Sequence, residues 1–261
     1  MLQIPNSEFK VYVNMDELNK CAKYVSDITY NTCGEDEMIK WMESSYKLEH
    51  ERINTSTITA VSEYMCSHDV PKVDELYEIL FHGECIRNEF VGVFRKQTNR
   101  YEVYYNVGMN PQSISLHQLQ SLVDYSYSQH SDIISFICYL LYERIHPHID
   151  GNGRMGRLLF IENVHSSTYF PLSEVLLKLR QPHLMSSIFK QVNFEYVHYT
   201  NDEVRYPDDE LYYQLNITDE LLHDITELVY TCKMYMKLCQ QMEWKEVVKL
   251  LRKKDIRNQY T

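Results

Sequence analysis

His146-Pro147-His148-Ile149-Asp150-Gly151-Asn152-Gly153-Arg154-Met155-Gly156-Arg157 gathers an imidazole, a carboxylate, a glycine-rich turn and two guanidiniums into one short run. The segments on either side of it decide the fold. Upstream, Ile133, Ile134, Phe136, Ile137, Tyr139, Leu140, Leu141 and Ile145 are apolar almost all round, which is the pattern of a buried helix and not of a short strand. Downstream, Leu158, Leu159, Ile161 and Val164 extend a second helical segment out of the run itself. Between two helices, glycines let backbone N–H groups approach an anion, and the second helix presents its free N–H donors and positive dipole end. Arg154 and Arg157 are three apart, so on the first turn they point the same way and can clamp a polyphosphate. Asp150 offers a hard oxygen of the kind Mg²⁺ takes alongside phosphate and water. His146 exchanges a proton near neutrality, its ordinary pKa being about 6.5.

Outward from this run the periodicity stays helical. Leu18, Cys21, Val25 and Ile28 form one stripe; Val73, Leu76, Tyr77 and Leu80 another; Leu116, Leu119, Leu122 and Val123 a third. Leu184, Ile188, Phe189 and Val192 suggest a further helix, and the pattern from Asp219 to Leu251 predicts C-terminal helices. One segment alternates with period two, Tyr101, Val103, Tyr105 and Val107, and Val91 with Val93 supplies its partner across a turn at Gln97-Thr98-Asn99-Arg100. The expected fold is a single, compact, mainly α bundle with a small β-hairpin.

Composition narrows the function classes. The 261 residues carry 26 Lys and Arg against 37 Asp and Glu, a net charge of −11, with no basic stripe outside the C-terminal Arg252-Lys253-Lys254, so nucleic acid is not the expected partner. The seven cysteines form no Cys-x-x-Cys pair, which fits reduced thiols in an intracellular, cytoplasmic protein better than a disulfide framework or a zinc site. No leader-like or membrane-spanning run is visible in the sequence, so no membrane partner is expected.

The run 146–157 resembles the signature of the Fic family, His-Pro-Phe-x-Asp-Gly-Asn-Gly-Arg-x-x-Arg, matching every fixed position except the Phe, here His148. The resemblance implies a Fic-type helical bundle that transfers AMP from ATP to a hydroxyl of a target protein. It implies His146 as general base, Asp150 as Mg²⁺ ligand, Gly151, Asn152 and Gly153 as the anion cradle, and Arg154 and Arg157 as contacts to the outer phosphates. Gly92-Val93-Phe94-Arg95 resembles the start of the Fic flap, the hairpin over about 91–107 that holds the target by strand addition, a mode tolerant of target sequence. Ser45-Tyr46-Lys47-Leu48-Glu49 is similar to the inhibitory-helix pattern Ser/Thr-x-x-x-Glu, with His50 where the family has Gly or Asn. Ser45 and Glu49, four apart, share one helical face, so Glu49 could reach a clamp guanidinium; the alternative is an ordinary surface pair with Arg52.

The corresponding organisation is an N-terminal helical region 1–43, a Fic domain 44–200 with an inhibitory helix 44–53, and a C-terminal helical extension 201–261. Other readings are transfer of UMP, phosphocholine or phosphate, removal of AMP by the same site, and a Fic-like binding module without activity. The order His146-x-His148-x-Asp150 also resembles the start of the metallo-β-lactamase motif, a metal-dependent hydrolase, although Gly151 stands where that motif closes with His. The oligomeric state is not legible from the sequence.

Overall fold

The computed structural model describes residues 1–31, 35–89, 91–97, 100–163, 169–179, 182–192 and 209–253. Its helices are α1 (Met15–Ser26), α2 (Glu35–Leu48), α3 (Thr55–Ser67), α4 (Val73–Phe81), α5 (Leu116–Gln129), α6 (Asp132–Ile145), α7 (Asn152–Phe160), α8 (Leu172–Leu179), α9 (Pro182–Val192), α10 (Asp209–Tyr212), α11 (Asp219–Cys239) and α12 (Trp244–Lys253). The strands are β1 (Leu2–Gln3), β2 (Lys10–Val13), β3 (Val91–Gln97), β4 (Arg100–Val107) and β5 (Gln214–Ile217). Mainly α is therefore the correct class.

The helices begin where short polar side chains satisfy their free N–H groups. Asn14 caps α1, Asn54 caps α3, Ser131 caps α6 and Thr218 caps α11, each accepting from the backbone N–H three residues on. Helix α6 is the central post. Its Ile133, Phe136, Ile137, Leu140, Leu141 and Ile145 are all buried, and α1, α5, α7, α9 and α11 pack around it. At its first turn Lys233 of α11 donates to Asp132 at 2.7 Å, both side chains being buried, so the charge of each is matched by the other. The apolar stripes on α1, α4, α5 and α11 face the same continuous core.

Two features depart from the sequence expectations. Helix α7 ends at Phe160, Ile161 forming its cap, and Val164 falls outside the described residues. A three-stranded sheet of order β1-β2-β5 also appears, in which β2 runs parallel to β5 with Val11 opposite Leu215 and Val13 opposite Ile217. The regions expected to be only helical at each end of the chain thus share this sheet, and α1 packs on α11 beside it.

The hairpin forms as expected over 91–107. Strands β3 and β4 pair antiparallel from Val91↔Val107 to Gln97↔Arg100, with a register shift between Val93 and Phe94. Gln97 and Arg100 are paired, so the connection is confined to Thr98 and Asn99, which lie outside the described residues. Among the described residues no helix is long and apolar enough to cross a membrane. The six described cysteines are free thiols, and Cys33 lies outside the described residues.

Candidate active site

The loop between α6 and α7 carries the site, and its shape follows from two left-handed residues. His146 caps α6 at φ 53°, with its N–H donating to Tyr142 O at 3.0 Å. Gly151, at φ 79°, opens α7; the Phe81 ring fills the space a side chain there would need. Across from His146, Gly108 follows β4 at φ 86° and lets the chain pass so close that a Cβ on it would collide with His146 Cβ and Ile145 O.

The imidazole of His146 is held neutral. Burial first, then the nearby Arg87 guanidinium and the His148 ring, push its pKa down to about 4, against the Glu143 backbone carbonyl and Asp150, which favour the proton. A neutral imidazole beside the hairpin is in the form that accepts a proton.

His148 stands where the signature has Phe, and the site absorbs it completely. It is fully buried and stacked on Tyr77 with ring centroids 4.3 Å apart. Its Nδ1 meets the Cys85 carbonyl and its Nε2 meets the Tyr142 hydroxyl. A carbonyl can only accept, so Nδ1 carries the hydrogen and Nε2 accepts from Tyr142. Burial lowers its pKa to about 4. With both ring nitrogens committed inside the core, His148 is no metal ligand, which removes the metallohydrolase reading.

Asn152 closes the same loop. Its Oδ1 accepts from His148 N at 2.9 Å and its Nδ2 donates to His148 O at 2.8 Å, so the side chain of this expected cradle residue braces the turn.

The clamp end is ionic. Arg154 and Arg157 sit on one face of α7 as expected, and both are buried beneath a single carboxylate, that of Glu49. Glu49 Oε1 is 2.6 Å from an Arg157 terminal nitrogen and its Oε2 is 3.0 Å from Arg154 Nε. Ser45 Oγ accepts from Arg157 Nε at 2.9 Å, and Ser45 O accepts from the same guanidinium at 3.2 Å. Burial works against the Arg157 charge, but Tyr139, Glu49 and Glu162 more than offset it and hold its pKa above the ordinary value. Arg154 is further sandwiched between the Tyr46 and Phe81 rings, each centroid 4.8 Å away. Glu49 therefore pairs with the clamp and not with Arg52. A Cβ on Gly153 would meet Glu49 Oε1 and the Arg157 guanidinium, so the carboxylate occupies the space over the glycine turn where an anion is expected.

Helix α2 is placed differently from the expected 44–53. It spans Glu35–Leu48, and Glu49 and His50 form the turn that ends it. His50 adopts φ 61°, a left-handed conformation that Gly and Asn reach most easily.

Asp150 is the exposed member of the set. Its Oδ1 accepts from Gly151 N at 2.6 Å, and its Oδ2 pairs with Arg154 at 2.8 Å while the side chain stays 73 % exposed. An open carboxylate beside an anion cradle fits a hydrated Mg²⁺.

Three residues at the site carried no sequence signal. Arg87, 1 % exposed, donates to the carbonyls of His146, Glu89 and Met109. Gly108 provides the close approach described above. Glu143 lies near Arg157 with a buried Oε1 that has no hydrogen-bond partner among the described residues, and burial pushes its pKa up to about 7. Glu143 and Arg157 are readable as charged residues, but nothing in their spacing says that α6 and α7 bring them together.

Against known families, the model of the Fic/DOC family matches residues 69–162, from just before α4 to just after α7. No curated protein matches the chain.

Proposed function

Because residues 69–162 form a Fic domain, the hallmark of an enzyme that transfers a nucleotide or another group to proteins, we propose that this chain is a protein adenylyltransferase moving AMP from ATP to a Ser, Thr or Tyr hydroxyl, and that Glu49 restrains it. One observation carries the reading. A single carboxylate bridges both signature arginines over Gly153, so the cradle is an anion site with an anion already in it.

The bonds made and broken follow from the layout. His146, neutral, takes the hydroxyl proton; the hydroxyl oxygen bonds to the α-phosphorus, and the bond from that phosphorus to the pyrophosphate oxygen breaks. Arg154 and Arg157, positioned on the first turns of α7, neutralise the charge that accumulates on the leaving pyrophosphate. Asp150 would hold Mg²⁺, whose contribution is charge neutralisation on the phosphates. The backbone amides from Gly151 to Gly153 and the N-terminal end of α7 orient the triphosphate. The β3–β4 ribbon pairs with no other described strand, which leaves backbone edges for a target segment to add to.

With Glu49 in place, Arg157 is engaged by Glu49 and Ser45, and Arg154 is shared between Glu49 and Asp150. ATP then meets a cradle whose cations are spoken for. The purified chain, and its Glu49→Gly variant, should be incubated in a lysate with ATP labelled at the α or the γ position, and in parallel with UTP and CDP-choline. Label transferred from α-labelled ATP alone is the expected result. Transfer from the γ position, or from another donor, reassigns the group transferred. No label from any donor, even without Glu49, leaves a binding module in place of an enzyme.

A further inference from the structure

Arg87 lies between α4 and β3, far in sequence from the signature, yet it is buried against the base. A buried guanidinium must find acceptors for its donors. Here Nε donates to His146 O at 2.7 Å, one terminal nitrogen to Glu89 O at 3.0 Å, and the other to Met109 O, while the Arg87 backbone N–H donates to Pro147 O at 2.9 Å. One side chain thus joins the segment leading into the hairpin, the segment leaving it and the His146-Pro147 peptide. His146 needs such support, because a left-handed backbone is unfavourable for any residue with a Cβ and persists only where its surroundings over-determine it. Met109 N–H donates to Ile145 O at 3.1 Å in the same knot, and Gly108 leaves room for it.

We propose that Arg87 is the positioning residue for the base: its planar fork locks the His146 peptide to both ends of the hairpin, so that the imidazole and the strand presenting the target hydroxyl keep a fixed relation. The inference rests on the reading of His146 as the base. Lysine cannot substitute, because one ammonium on a flexible stem does not reach three carbonyls in a plane. The guanidinium also contributes charge. Among the groups facing the His146 ring, burial, Arg87 and His148 disfavour its proton, while the Glu143 carbonyl and Asp150 favour it. Fork and charge are therefore separable by mutation, since Arg87→Lys keeps the charge and Arg87→Gln keeps neither.

The test uses the full chain carrying Glu49→Gly, to which Arg87→Lys or Arg87→Gln is added. Two readouts are taken, AMP transfer from α-labelled ATP and the titration of His146 by NMR of ring-labelled histidine. Both variants are expected to lose kcat by about tenfold or more, since a misplacement of the order of 1 Å can cost about a hundredfold, while KM for ATP stays within about twofold. His146 should titrate near its parental pH in Arg87→Lys and about one pH unit or more higher in Arg87→Gln. A kcat per folded molecule within about twofold of the parent in either variant overturns the proposal, as does an unchanged His146 titration in Arg87→Gln. Should Arg87→Gln fail to fold, the kcat against KM split in Arg87→Lys decides alone. If the parent itself transfers no label, it is the reading of His146 as base that falls. The titration then still discriminates: a shift upholds the hold of Arg87 on the imidazole, and no shift overturns it.

Discussion

The two ends of the signature loop are held by opposite means. At the His146 end, the ring of His148 and the fork of Arg87 bond to backbone carbonyls and a tyrosine hydroxyl inside the core. At the Arg154/Arg157 end, the side chains are held by ion pairs to Glu49 and Asp150, of which Asp150 is largely exposed and Glu49 partly so. An ion pair can be replaced by a better anion; a web of buried hydrogen bonds cannot be replaced by a ligand at all. The comparison separates a His146 end fixed by buried hydrogen bonds from an arginine end held by ion pairs.

The sharpest way to break it is His146→Ala. Transfer should fall by about 10²–10⁴-fold, the worth of base catalysis, while calorimetric affinity for ATP with Mg²⁺ stays within a few-fold. Loss of both together would mean that the two ends are not separable. Next in size is Glu49→Gly, expected to raise target labelling and self-labelling at least about tenfold, equal to roughly 1.4 kcal/mol of barrier. Adding Arg157→Ala in that background should lower it again, and a rate untouched by Glu49→Gly would sink the restraint. Asp150→Ala should remove the Mg²⁺-dependent part of nucleotide binding, read as titrations with and without the metal that coincide in the variant and differ in the parent.

The smallest effect sharpens the base end. His148→Phe keeps the stack on Tyr77 but orphans the Tyr142 hydroxyl and the Cys85 carbonyl, at about 1–3 kcal/mol of stability near pH 7, with kcat per folded molecule retained. Its cost should depend on pH in a definite direction. The folded His148 is depressed to about 4 from an ordinary 6.5, so its neutral ring stabilises the fold fully above 6.5 and that contribution fades as pH falls towards 4. Urea unfolding of parent and variant at pH 7 and pH 5 should show the gap between them narrowing at the lower pH. Glu143 and Glu162 run the other way, each raised to about 7, so their contribution is full below 4.5 and lost as pH rises through 7. In the parent His146, also depressed to about 4, joins His148 against the two carboxyls and the opposing slopes flatten the stability curve between 4.5 and 6.5; in the variant one carboxyl slope is left uncompensated.

What could be read beforehand was what is local. The signature, the apolar wrap of α6 and the alternation of β4 each repeat within a window shorter than the element, so the sequence carried them. The reach from Ser45-x-x-x-Glu49 to Arg157 was readable only as a possibility, because spacing fixes which face a carboxylate occupies and not which helix that face meets. Arg87 was invisible for a deeper reason. Its partners are main-chain carbonyls, and carbonyls have no residue identity to leave a pattern. Strands β2 and β5 failed for want of length: Lys10-Val11-Tyr12-Val13 and Gln214-Leu215-Asn216-Ile217 each offer two alternations, too few to tell a strand from a turn.

Those two short strands set the order in which the molecule can be finished. Val11 waits for Leu215, more than 200 residues later, so the parallel pairing closes a loop enclosing most of the chain. A chain emerging residue by residue brings out α4 to α7 and the residues that brace His146 while β2 still presents a bare edge and neither α1 nor α6 has α11 to pack on. The contacts that brace the signature loop span 59 residues from Arg87 to His146 and 112 from Ser45 to Arg157, against more than 200 for the β2–β5 pairing, so the sheet closes last. A chain cut short before Gln214 would thus keep an open β2 edge and leave Asp132 without Lys233, a species prone to pairing with its neighbours.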